Sequence, residues 1–166
     1  MERYRRPEGK SVRGDGNGWT RCGLGHRHWG LFGAAGLLLR RPGPGTDVSV
    51  LMQHRAPWTS LGDTWGLPGG ARDSHESPVQ AALREAGEEA GIVAAAVSVA
   101  GQWTDDHGGW AYVTVIADAA GPLSIVANAE SAELRWVPRA EIDALALHPG
   151  FASSWPAVRE YAAPTV

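Results

Sequence analysis

The sequence predicts an α/β fold in which a mixed sheet carries helices on both faces. Three observations support this. Strand-like and helix-like runs interleave along the chain without a repeated unit. Residues 77–91 carry their own start and stop signals for a helix. A length of 166 residues fits one domain with an adequate core. We place that domain at residues 17–166, behind a flexible basic leader at residues 1–16.

The leader holds Arg3, Arg5, Arg6, Lys10 and Arg13, and a solvated tail is favoured over an arm that binds polyanions. From Trp19 to Trp29, short polar-aromatic segments broken by Gly23, Gly25 and Gly30 suggest an added hairpin or edge extension. Cys22 with His26 and His28 raises the question of zinc. One Cys and a His-x-His lack the usual spaced pairs of ligands, so a structural role is expected. Ala34–Leu39 reads as a buried strand, Pro42-Gly43-Pro44-Gly45 as a turn, and Val48–His54 as the returning strand. A Trp- and Gly-rich loop over residues 56–69 then leads to the helix.

Ser77 is a good N-cap, Pro78 suits the first helical position, and Gln80 completes a capping box. Val79, Leu83, Ala86 and Ala90 form an apolar stripe to bury against the sheet. Gly91 stops the helix as a left-handed cap. Val97–Thr104 and Trp110–Ala117 read as strands joined by Asp105-Asp106-His107-Gly108-Gly109. Leu134–Val137 is a short strand, Arg139–Ala146 a short helix, and Ser154–Ala162 a final helix with Pro156 in its first turn.

Composition narrows the function. A formal charge of −3 argues against generic nucleic-acid binding, so no stable nucleic-acid complex is expected. No run of 18 apolar residues exists, and the N-terminus lacks the apolar core of a signal peptide. With Cys22 alone, no intrachain disulfide can form, which suits a reducing cytoplasm. A cytoplasmic enzyme without a membrane partner is the expectation.

The chemistry concentrates between Gly70 and Ile92, which reads Gly-x5-Glu-x7-Arg-Glu-Ala-x-Glu-Glu-x-Gly-Ile. Glu85, Glu88 and Glu89 fall at i, i+3 and i+4, on one face of a helix. Unpartnered, three such charges repel one another. A hard divalent cation reverses that sign, because Mg²⁺ takes carboxylate oxygens and keeps waters for a phosphate substrate. Arg84 can neutralise or orient one carboxylate. The alternative, a surface helix rich in good helix formers, does not account for fixed glycines outside the helix.

This stretch resembles the Nudix box of the Nudix hydrolases, with Ala86 the one departure, where a larger aliphatic residue is usual. Trp65-Gly66-Leu67-Pro68-Gly69-Gly70 resembles the lead-in to that box. His54-Arg55 and Glu130–Val137 are similar to the MutT-like branch. Gly33–Gly36, Ala71–Glu76 and Leu147–Phe151 look like actinobacterial MutT-like proteins assigned to oxidised-nucleotide sanitation. The resemblance implies an α/β/α sandwich and hydrolysis of a nucleoside diphosphate linkage. The first-choice substrate is a purine nucleoside triphosphate, oxidised or not, cleaved to monophosphate and pyrophosphate. It implies Mg²⁺, with Mn²⁺ able to substitute, held by Glu85, Glu88, Glu89 and, from the loop before Trp136, Glu130 in preference to Glu133. Glu85 is favoured as the base, Arg84 as its partner, and Glu76 as a structural partner of Arg84.

Arg55, Gly69, Gly70, Trp65 and Phe151 are the candidates to contact substrate. Trp58, Trp110 and Trp155 are further stacking candidates, each with burial as the plainer alternative. The Pro common in ADP-ribose hydrolases is replaced by His107. The Tyr favoured by dinucleoside polyphosphate hydrolases falls among Gly108, Gly109 and Trp110, with Tyr112 close by. Another diphosphate substrate, or a ligand sensor on the same fold that has lost catalysis, are the alternatives.

Overall fold

The computed structural model describes residues 13–163; the expectation for residues 1–12 lies outside them. Two strands, β1 (Trp19–Arg21) and β2 (Arg27–Trp29), pair antiparallel as a separate small sheet. The expected hairpin is thus present and does not extend the main sheet. Across it Trp19 meets Trp29 edge-on at 5.3 Å, and the Arg27 guanidinium lies 4.2 Å from the Trp19 ring centre.

The main sheet is mixed. At its centre β3 (Ala34–Pro42) runs parallel to β8 (Ala111–Ala119), and β7 (Val97–Asp106) closes one edge antiparallel to β8. On its other side β3 has two partners. Its far end, Arg40–Pro42, pairs with β4 (Val48–Arg55), and its near end, Ala34–Gly36, pairs with β6 (Gly69–Ala71). β4 diverges from β3 and takes β5 (Trp65–Gly66) on that flank and β9 (Ser131–Pro138) on the other. The segment expected as loop is therefore threaded into the fork between β3 and β4. The Leu37 N–H donates to the Pro68 carbonyl at 2.9 Å, holding the turn there. Periodicity cannot show strands of two and three residues, and here long-range pairing decides.

Alternation along β3 divides the core. Ala35, Leu37 and Leu39 face the first helix, α1 (Pro78–Ala90), while Leu38 faces the second, α2 (Pro149–Val158). α1 meets the sheet mostly through fully buried Ala81, Ala82, Ala86 and Ala90, with Val79 and Leu83 at the margin. Small side chains let the helix backbone approach the strands closely. On the opposite face, Phe151, Trp155 and Val158 of α2 pack with Val50, Met52 and Ile142.

Both ends of α1 are as the sequence predicts. Ser77 Oγ accepts from the Gln80 N–H at 3.1 Å, Gln80 Oε1 accepts from the Ser77 N–H at 2.8 Å, and Gly91 takes φ 68°. α2 departs from expectation. It begins at Pro149, capped by His148, and Pro156 lies inside it rather than in its first turn. Of two prolines compatible with a helix start, the one at N1 is Pro149. The segment Arg139–Ala144 is a 3₁₀ helix.

Residues 13–16, assigned to the leader by composition, are held in place. Buried Asp73 accepts from the Gly14 N–H at 2.8 Å and the Gly16 N–H at 3.0 Å. The Leu31 N–H donates to the Gly16 carbonyl at 2.8 Å. An acid after the box lead-in gives no sequence signal of a distant backbone partner.

Candidate active site

Arg84 organises the box helix. Its Nε donates to Glu76 Oε1 at 2.6 Å, its Nη1 to Glu85 Oε1 at 2.8 Å, and its Nη2 to the Ala71 carbonyl at 2.9 Å. One guanidinium thus joins the loop before α1 to the carboxylate on α1. Glu76 is buried and also accepts from the Asp73 N–H. The hydrogen bonds from Arg84 hold its carboxyl below the usual range. Those same contacts, led by Glu76, hold the guanidinium firmly charged.

Glu85 and Glu89 point inward, whereas Glu88 is more open. Glu89 is 4% exposed and its Oε2 accepts from the Gly69 N–H at 3.0 Å. Burial, then the neighbouring Glu85 charge, pushes the Glu89 carboxyl up to about 8. Burial likewise raises Glu85, against the opposing pull of Arg84. Glu88 is contacted by Arg84 at 3.5 Å and by Arg13 at 2.9 Å. Gly70 is required by space, since a Cβ there would stand 2.6 Å from Glu85 Oε1. The approach strand β6 is in this way pressed against the carboxylates.

The connection from β8 to β9 runs past the end of α1, where the Asn128 N–H donates to the Glu89 carbonyl at 3.3 Å. Asn128 Oδ1 accepts from the Glu130 N–H, and the Glu130 carbonyl accepts from the Ala56 N–H. Glu130 thereby enters the cleft lined by Glu85, Glu88 and Glu89. Glu133 instead sits on β9 opposite His54, 3.6 Å from Arg135.

Arg55, at the end of β4, donates to the Ser60 carbonyl at 3.1 Å. Among the described residues it has no carboxylate within ion-pair distance, and its charge faces Glu89, Tyr112 and His148. Gly69, Gly70 and Phe151 also line the cleft, which encloses about 850 Å³.

Trp65 does not line it. Its ring is buried, stacked on His54 at 4.7 Å and carrying the Arg135 guanidinium at 4.5 Å. Both of its faces are engaged within the protein and closed to a substrate in the cleft. Trp58 is exposed and Trp155 buried, and neither lines the cleft, whereas Trp110 does.

The cleft also holds residues outside the sequence-based set of site residues. Tyr112 forms part of the floor, its hydroxyl set against Gly36 and Gly69, and burial raises its pKa. His148 caps α2 through Nδ1, and burial followed by the Arg55 charge lowers its pKa. The helix-start signal of His148-Pro149 was available in the sequence. Arg13 and His28 gave no local signal of a place at the cleft, because only tertiary pairing brings the N-terminal segment there.

Four carboxylates facing one cleft, two of them with pKa values raised by burial, fit a hard divalent cation that takes oxygen donors. Fold and site together define a hydrolase of the box-helix type. The NUDIX domain pattern matches residues 31–161, and the chain belongs to the NUDIX family. Nudix hydrolases are typically metal-dependent and act on small molecules that contain a diphosphate.

The chain is 54% identical over 156 residues to a Mycobacterium tuberculosis protein named "Putative 8-oxo-dGTP diphosphatase 3", covering 90% of this chain and 72% of that one. It is 42% identical over 155 residues to a Bifidobacterium longum "Nucleoside triphosphate pyrophosphatase/Nudix hydrolase fusion protein", 90% of this chain and 32% of that one. A crystal structure of a Nudix hydrolase from M. smegmatis, RenU, superposes with a TM-score of 0.80 at 55% identity, covering 88% of this chain and 94% of that one. Among the described residues, no helix is long and apolar enough to cross a membrane.

Proposed function

We propose that this Nudix hydrolase cleaves purine nucleoside triphosphates, oxidised guanine forms among them, to nucleoside monophosphate and pyrophosphate. The observation that carries the reading is the meeting of Glu130 with the three box carboxylates in one cleft, with Arg55 on its wall. The mycobacterial relative's name supports the choice of nucleotide.

In this reading Glu85, Glu88, Glu89 and Glu130 hold Mg²⁺, for which Mn²⁺ substitutes. A divalent cation held by these carboxylates would supply charge neutralisation for the phosphoryl oxygens and lower the pKa of the attacking water. Glu85 accepts the proton of the attacking water, a task for a carboxylate held within reach of it. Arg84 fixes the Glu85 carboxylate, while Glu76 and the Ala71 carbonyl fix Arg84. Arg55 grips a phosphate oxygen. Gly69 and Gly70 let the phosphates approach the backbone, and Phe151 offers an apolar surface to the base. The enzyme is assigned to the cytoplasm.

The test is a panel of nucleoside triphosphates, dinucleoside polyphosphates, nucleotide sugars and prenyl diphosphates with Mg²⁺, measuring both products. Monophosphate and pyrophosphate from purine triphosphates are expected. Turnover restricted to prenyl diphosphates or nucleotide sugars would overturn the substrate assignment and leave the reaction class standing.

A further inference from the structure

In sequence Cys22, His26 and His28 lack the usual spaced pairs of ligands, and a closed metal site needs a further donor. The fold supplies one. His107, from the turn between β7 and β8, comes against the hairpin, so that one ligand atom from each of the four residues lies within 4.8 Å of the others. We propose that Cys22, His26, His28 and His107 form a zinc site that fastens the hairpin to the β7–β8 turn.

The cluster is built for donors to point inward. The Cys22 N–H donates to the His26 carbonyl at 3.0 Å, which closes the hairpin with Cys22 beside His26. The Gly23 N–H donates to the Gly108 carbonyl, bringing the His107 turn alongside. His28 stacks on Trp110 at 3.8 Å and 9°, and Trp110 is held by its own Nε1–H on the Gly30 carbonyl at 2.8 Å.

Two imidazole nitrogens, His28 Nε2 and His107 Nδ1, are buried among these groups with no hydrogen-bond partner. An unsatisfied buried nitrogen is costly, so two side by side require an explanation. The other nitrogen of His107, Nε2, lies 3.0 Å from Asp105 Oδ2. A carboxylate behind the far nitrogen of an imidazole is the arrangement that orients a histidine onto a metal.

The donor set selects the ion. One thiolate and three imidazoles are too soft for Mg²⁺ or Ca²⁺ and suit Zn²⁺. Four protein donors fill a tetrahedron and leave no open position, which defines a structural site. Zn–S and Zn–N bonds of about 2.3 and 2.0 Å put the edges of that tetrahedron at roughly 3.3–3.5 Å. The four side chains therefore draw together by about 1 Å on loading. Trp19, Arg27, His28 and Trp29 of the hairpin line the cleft, so the ion sets the position of that wall. The site is independent of the box carboxylates and does not rest on the substrate proposed above.

Zinc content and cobalt spectra of the untagged full-length chain, purified with zinc and dialysed in Mg²⁺, test it. One zinc per chain is expected. The cobalt form should show a thiolate-to-cobalt charge-transfer band and the strong visible bands of a tetrahedral ion. Cys22→Ser should abolish the charge-transfer band, His107→Ala should weaken zinc binding at least tenfold, and Asp105→Asn by about 10–100-fold. Glu88→Gln should keep the full zinc content. The proposal is overturned if the wild-type chain retains no zinc or gives the weak spectrum of octahedral cobalt. It is equally overturned if zinc content is unchanged in both Cys22→Ser and His107→Ala. The wild-type cobalt spectrum decides the matter even where a variant fails to fold.

Discussion

At the scale of single residues, the site depends on oxygen atoms held in a fixed array. Replacing Glu88 or Glu89 by Gln keeps the shape and removes the charge that, in the proposed function, holds a divalent ion. Most turnover should vanish in either variant while the far-ultraviolet spectrum and melting cooperativity remain those of the parent; full activity in either would remove the metal-hydrolase reading. Gly70→Ala tests geometry instead of charge. The new methyl group would stand 2.6 Å from Glu85 Oε1, so the carboxylate must move. If Glu85 is the base of the proposed function, a displacement of about 1 Å costs on the order of a hundredfold in kcat at saturating substrate. Glu130→Gln should impair turnover and metal dependence, and Glu133→Gln should leave both near wild type. The opposite pattern would transfer the fourth ligand to Glu133.

At the scale of elements, α1 is a helix whose ends are written in the sequence. Ser77→Ala removes one side of the capping box and should cost about 1 kcal/mol, read as a lower denaturant midpoint at unchanged slope. The capping box, the Pro at N1 and the left-handed Gly91 were legible because each depends on neighbours within four residues. So were β3, β4 and β8, whose apolar runs are long, and β7, whose Val97–Thr104 stretch lies next to a Gly-rich turn. β5 and β6 were not, because strands of two and three residues exist only through the fork that β3 and β4 make. α2 was displaced because two prolines competed for one start signal. The box helix was legible as a site because its spacing alone gathers the carboxylates. His107, Arg13 and Asp73 were not, because chain distance hides partners that only the sheet brings together.

At the scale of the whole molecule, the site is linked to stability through a proton. The folded protein holds the Glu89 carboxyl up to about 8, raised by burial and by the Glu85 charge, whereas an exposed glutamate titrates near 4.5. A carboxyl raised on folding contributes stability that is fully present below about pH 4.5 and is lost as pH rises through about 8. In that window the folded chain keeps a proton that the unfolded chain has released. A cation bound to Glu89 displaces this proton, so its affinity should climb with pH up to about 8 and level off above. Melting temperatures in magnesium-free buffer should therefore fall from about pH 6 to about pH 8.5, and millimolar Mg²⁺ should offset most of that fall. Other groups titrate over the same range, which Glu89→Gln separates. The neutral amide cannot lose a proton, so this variant should show a flatter profile without magnesium and little response to it. A magnesium effect of the same size at both pH values in the parent would mean that Glu89 is already ionised in the folded protein. The Gly69 N–H and the Arg55 charge would then outweigh its burial.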